Sequence, residues 1–391
     1  MTQPNISTQS LASPKPRFVY IDLLRGWAVF VMIETHVTNA FIQAPIRLEP
    51  WFGILNFING IVAPSFLFVA GYAFALVGDR KWKDYLSFNW VFWKQVGRIV
   101  QIWAIGYALH LPFFSFNKLA FLIGWDEWNS FWPVDVLQCI AVSLLVMLVL
   151  VVLARSHRTF FISLCILAGA IVFATPMMST MNVDRALSLP FSSYVNAIHG
   201  SLFPIFPWMS FLLFGGVTGQ AYVFLKGKVS GTDFFKFVFL LGIALIALSI
   251  MARLLPFTIY PPHEFWVASP EFVFIRLGIV LIILAGLWFW EERYHSGRSI
   301  VSLLGSESLV TYTLHLLVIY GMFFGGNNLS SIIGTTRSVP EVALMSVLLI
   351  AAMGAVAYVW NSLKKKSMLY ARVLQYSILA AVLLVFFTKP Y

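Results

Sequence analysis

Long unbroken apolar runs constrain this chain more than any other feature of its sequence. Eleven of them, at about 18–41, 51–77, 92–110, 134–153, 160–178, 202–225, 235–255, 272–290, 300–321, 341–360 and 369–387, follow one another with polar connections between them. A run of roughly 20 apolar residues is what a helix needs to cross the hydrocarbon core of a bilayer. The runs are continuous rather than alternating, which excludes a transmembrane β-barrel. Of 391 residues, 60% are hydrophobic and 11% charged, so a water-soluble fold would be left with large exposed apolar patches. The fold class is therefore all-α: a polytopic membrane protein of about eleven transmembrane helices, or ten if one short run is re-entrant.

The net charge of +10 reports topology rather than nucleic-acid binding. With the N-terminus inside, eighteen of the 26 lysines and arginines fall on the inner side and six on the outer side, while Arg25 and Arg276 lie within runs. That bias orients the chain with a cytoplasmic N-terminus in the plasma (inner) membrane. Residues 1–17 are polar, carry Pro4, Pro14 and Pro16, and read as a disordered cytoplasmic tail. Residues 18–391 read as one transmembrane domain. The first run holds Arg25, Glu34 and His36 and precedes no small-residue cleavage site, which argues against a removable signal peptide. Cys139 and Cys165 sit near opposite ends of neighbouring runs, too far apart for a disulfide.

Ionisable residues inside a bilayer are costly, and each is a functional candidate. The first run has Asp22, Arg25, Glu34 and His36. At ~100° per residue, the eleven steps from Arg25 to His36 end about 20° past three full turns. Asp22, one turn before Arg25, and Asn39, one turn after His36, share that face, and Glu34 points away from it. The rise from Arg25 to His36 is roughly 16 Å, about half of the hydrocarbon core. The face has the character of a cavity wall, with structural hydrogen bonds and an Asp22–Arg25 ion pair as the plainer alternative. His315 lies deep in the ninth run, with Ser308 on the same face and Glu307 nearer the cytoplasmic end, where it could meet water. His315 suits a second acid–base or acceptor-positioning role, or a hydrogen-bonded place in the core. Asn56 and Asn59 in the second run could bond to the first. His110, His199 and His263 fall at different outer ends, with no i,i+4 pair to hold a metal. The outer segments Gly124–Trp132 and Tyr260–Trp266 mix aromatic and acidic residues, as a headgroup-level belt or a sugar-stacking surface would.

The segment Tyr20-Ile21-Asp22-Leu23-Leu24-Arg25-Gly26, followed by His36, resembles the start of two related families. One is the acyltransferase-three family, with its Arg and His separated by ten intervening residues. The other comprises the bacterial relatives of heparan-alpha-glucosaminide N-acetyltransferase. Ala63–Gly71 is similar to the Pro-x-Phe-x-Phe-x-x-Gly run of the second group, Asp135–Ala141 to its fourth-span opening, Phe206–Gly215 to its Pro-Trp run, and Leu304–His315 to its late Gly-x-x-Ser-Leu-x-x-Tyr-x-x-His run. The matches extend from residue 20 to 315, about three quarters of the chain. One position departs: relatives often carry His or Asp four residues before the span-two proline, and here it is Gly60, beside Asn59.

The resemblance implies transfer of an acyl group, usually acetyl from cytoplasmic acetyl-CoA, to a glycan or other envelope acceptor on the outer side; the spacing of the histidines predicts no metal. An imidazole titrates nearest neutrality, so His36 could take a proton from the attacking hydroxyl or amine, or accept the acyl group itself. Arg25 could bind a CoA phosphate or steady the thioester end, with Asp22 orienting it. Asn39, Asn59, Glu307 and Ser308 are supporting candidates. A secondary transporter or flippase using the Asp22/Arg25/His36 face for substrate or protons is the alternative function.

Overall fold

The computed structural model describes residues 18–255, 259–295, 299–321 and 327–389; the expected tail, 1–17, lies outside them. It is all-α. The principal helices are α1 (Val19–Phe41), α2 (Pro50–Asn59), α3 (Val62–Arg80), α4 (Trp90–Leu109), α5 (Val136–Ala154), α6 (His157–Thr180), α7 (Ile205–Leu225), α8 (Gly231–Arg253), α9 (Pro270–Tyr294), α10 (Ile300–Ser306), α11 (Ser308–Tyr320), α12 (Val339–Lys366) and α13 (Met368–Thr388). Among the described residues there is no β-strand; isolated bridges join Ile42 to Arg337 and Lys226 to Val229.

Eight helical segments are long and apolar enough to cross a membrane, with α2 and α3 counted together, and a ninth arises if α10 and α11 form one broken span. The two other runs of the sequence, α1 and α4, are helices of 23 and 20 residues in the same bundle. Asp22, Arg25, Glu34 and His36 make α1 less apolar than its neighbours, and Lys94 and Arg98 do the same for α4.

α1 is the hub. It packs against α3, α9, α10, α11 and α12. The two faces of the bundle follow from its ends. Tyr20 N–H, at the start of α1, donates to Glu291 near the end of α9 at 2.6 Å, and the Tyr20 and Tyr72 hydroxyls meet at 3.0 Å. We call this the proximal face. At the distal face, Arg337 N–H, just before α12, donates to Phe41 C=O at the end of α1.

Two glycines bring α1 and α10 into backbone contact, as Gly71 and Gly215 do for α3 and α7. A Cβ on Gly26 of α1 would collide with the Val301 carbonyl of α10, and one on Gly305 with the Asp22 carbonyl. Small residues on both partners let the two backbones touch. Beyond Gly305 the ninth run breaks by 88° at Glu307. Ser306 and Thr311 spend their hydroxyls on local carbonyls around the break. The break turns α11 toward the distal half of α1.

Candidate active site

The polar side chains of α1 divide by depth. Asp22, buried in the first turn, and Arg25, half-buried one turn on, lie beside α10 at the proximal end. His36 is half-buried five residues from the distal end of α1. Glu34 accepts a hydrogen bond from Thr38 Oγ1 at 2.6 Å within the same helix. Asn39 is exposed, and its carbonyl accepts from Arg47 at 2.7 Å.

His36 does not stand alone. The 88° break delivers His315 to it from 279 residues away in the chain, with ring centroids 5.2 Å apart and planes tilted by 46°. His315 is fully buried (0% exposed). Its Nδ1 lies 2.9 Å from the Thr311 carbonyl, which can only accept, so Nδ1 carries the proton and in the neutral imidazole Nε2 keeps its lone pair. Nε2 is buried and has no hydrogen-bond partner. Two imidazoles joined by a bond of ~2.9 Å have centroids roughly 5 Å apart, so a small ring rotation would let His36 donate to this nitrogen. Tyr320 packs edge-on to His36 at 6.0 Å, and Tyr312 packs edge-on to His315 at 5.7 Å. One imidazole is reachable; the other is held behind it in a fixed tautomer.

A carboxylate completes the surroundings. Asp135 caps α5 by accepting from Val136 N–H at 2.7 Å. His110, at the end of α4, lies 3.5 Å from Asp135. Sequence reasoning set His110 aside as an isolated outer histidine and quoted Asp135 only within a motif. The usable signal was position: each residue bounds an apolar run at the same end as His36.

The supporting candidates part company. Glu307, expected near the cytoplasmic end, is itself buried. It is 5% exposed at the α10–α11 break, accepting from Lys364 Nζ at 2.6 Å and Asn361 Nδ2 at 2.9 Å. The run of three lysines ending α12 places an ammonium there, which makes burial of the carboxylate tolerable. Ser308 is half-buried one residue beyond the break, and its carbonyl accepts from Thr311 Oγ1. Asn59 ends α2, and its Oδ1 is buried without a hydrogen-bond partner. A cleft of about 490 Å³ opens between α10 and α12, lined by Ser299, Leu303, Tyr358, Asn361 and Lys365 among others. Among the described residues no cluster of His, Cys, Asp or Glu could hold a metal ion.

An all-α bundle with this many long apolar helices, and with two histidines facing each other near one end of its central helix, is that of a multi-pass membrane protein. Residues 17–247 match the family model described as heparan-alpha-glucosaminide N-acetyltransferase, catalytic, and the chain belongs to that family of membrane acetyltransferases. No curated protein matches the chain. The matched stretch contains α1 with Asp22, Arg25 and His36, whereas His315 lies beyond it.

Proposed function

We propose that the protein moves an acetyl group from cytoplasmic acetyl-CoA to a hydroxyl or amine of a glycan or other envelope acceptor, with His36 as the catalytic residue. The proximal face is then cytoplasmic and the distal face external, in the inner membrane. The pairing of His36 with His315 inside the bundle carries the reading. Because His315 comes from outside the family-matched stretch and still meets α1, residues 18–391 are taken to work as one domain.

The donor approaches from the proximal side. Its phosphates suit the guanidinium of Arg25, which Asp22 orients, and its thioester extends the ~16 Å toward His36. The acceptor comes from the distal side. His36 takes the proton of the attacking O–H or N–H while donating its own N–H toward His315 Nε2. The new C–O or C–N bond forms, the C–S bond breaks, and the proton returns from His36 to the departing thiolate as CoA-SH. His315, fully buried, positions His36 rather than touching substrate. Asn39, Asn59, Ser308 and Glu307 support the walls of the passage.

The test is release of CoA thiol by purified protein in detergent, where no gradient exists to drive a transporter. His36→Ala should lower transfer by roughly 10²–10⁴-fold, the usual cost of losing acid–base catalysis, and still bind acetyl-CoA calorimetrically. Arg25→Ala should bind the donor more weakly. Absence of thioester consumption by the wild type, or full activity in His36→Ala, would overturn the proposal.

A further inference from the structure

The cleft of about 490 Å³ between α10 and α12 takes no part in the proposed transfer. One face of α12 forms its long wall, from Ala351 and Ala355 through Tyr358 and Ser362 to Lys365. All five residues are exposed, so the cleft opens sideways into the bilayer. Ile300 and Leu303 of α10 form the opposite wall. The helices approach at Gly354, where a Cβ would lie 3.3 Å from Ile300 Cδ1. The α12 wall changes character along its length: methyl groups come first, then hydroxyls, then an ammonium. α12 starts at the distal face beside Arg337, so its lysines end at the proximal face. From Ala351 to Lys365 the helix rises about 21 Å. One leaflet with its headgroups is roughly 20–22 Å deep. Lys364 is committed to Glu307, whereas Lys365 and Lys366 have no carboxylate partner among the described residues. Residues 342–391 include no Asp or Glu at all. A basic pocket between membrane helices at the level of the headgroups suits an anionic lipid.

We propose that this cleft binds an anionic phospholipid of the proximal leaflet. The headgroup phosphate pairs with the Lys365 ammonium and accepts from the Ser362 hydroxyl. One acyl chain lies along Ala355 and Ala351, against Ile300 and Leu303. A CoA phosphate would suit the same ammonium, but α10 stands between the cleft and α1. Ile300 and Leu303 line the cleft, whereas Val301 and Gly305 touch Gly26 and Asp22 of α1. A thioester lying in the cleft would be screened from His36, which leaves the cleft to a lipid. The lipid also has a structural consequence. Asn361 lines the cleft, and its Nδ2 donates to Glu307 at 2.9 Å. A lipid bridging α10 and α12 beside that bond steadies the break that turns α11 toward α1.

The experiment measures thermal unfolding of the full-length protein in a neutral detergent, with phosphatidylglycerol or phosphatidylcholine of identical acyl chains added to the micelles. Phosphatidylglycerol should raise the wild-type midpoint by about 2–4 °C near saturation, and phosphatidylcholine clearly less. In Ala355→Phe, where the new ring fills the path of the chain, the phosphatidylglycerol increment should vanish. In Lys365→Gln the two lipids should act alike. Both positions are exposed, so neither change removes a core contact, and each variant decides the matter if the other does not fold. Equal increments from the two lipids in the wild type overturn the site. So does an increment that persists undiminished in folded Ala355→Phe, because the lipid then acts on surface charge alone, or a preference for phosphatidylglycerol that survives in Lys365→Gln. Glycerol 3-phosphate should leave the midpoint unchanged, and acetyl-CoA titrated calorimetrically should bind both variants as it binds the wild type. An increment from glycerol 3-phosphate equal to that of the lipid, or weaker binding of acetyl-CoA to either variant, would assign the cleft to a soluble phosphate and overturn the lipid. None of these readouts needs turnover, so the site stands or falls apart from the acyltransferase reading.

Discussion

If His36 and His315 act as one unit, their losses cannot multiply. His36→Ala removes the group proposed to touch the reacting atoms, for which roughly 10²–10⁴-fold, or about 3–5 kcal/mol, is expected. His315→Ala removes only the acceptor that would orient His36. A buried hydrogen-bond acceptor of this kind contributes about 1–3 kcal/mol, which corresponds to roughly 5- to 150-fold in kcat. The orientation is specific because Nδ1 is committed to Thr311 at 2.9 Å and Nε2 has no other partner. Independent roles would give the double variant the product of the two losses, on the order of 10³–10⁶-fold. A unit would leave the double variant no worse than His36→Ala alone, as seen for interdependent catalytic groups. The assay is thiol release from acetyl-CoA in detergent, on variants first checked for a single monodisperse species and a cooperative melt. Multiplying losses, or less than a twofold effect of His315→Ala, would refute the positioning role.

The break in the ninth run should depend on its ion pair. Glu307→Gln leaves the Lys364 ammonium without its carboxylate and should destabilise the protein by about 1–3 kcal/mol, read as a fall of several degrees in the melting midpoint. Glu307→Gln combined with Lys364→Met should recover much of that loss, since removing both partners is far better tolerated than removing one; a double variant as unstable as the single would argue against the pair. For orientation, a reporter fused after Lys366 should behave as cytoplasmic and one at Asp126 as external, and reversed signals at both sites would invert the donor and acceptor faces.

What could be read in advance was whatever a single helix encodes. The Arg25–His36 register needs only 100° per residue, and the apolar runs need only composition. The all-α bundle follows from those runs. The site was half legible for the same reason. His36 announced itself as an intramembrane imidazole on a polar face, whereas His315 offered no link to it, because contacts across 279 residues depend on the 88° turn at Glu307. That turn was hidden too. A glutamate near the end of a run gives no hint that Lys364, 57 residues later, meets it. Asp135 and His110 show the same limit, since each bounds its own helix and only the packing of α4 against α5 brings them to 3.5 Å.

These partnerships give the bundle a common logic. Several polar groups lie at a local interruption of a helix: His315 beyond the Ser-Glu-Ser break, Arg276 beside the α2–α3 break, Asp135 at a cap. Continuous helices in a bilayer satisfy their own backbones and have little reason to bring polar side chains together. Interruptions change that, because they redirect a helix and bring its polar residues to a neighbour. If function here depends on the interruptions, straightening one should be more damaging to transfer than to folding. The Glu307 pair, holding the sharpest of them below His315, is where that difference should be largest.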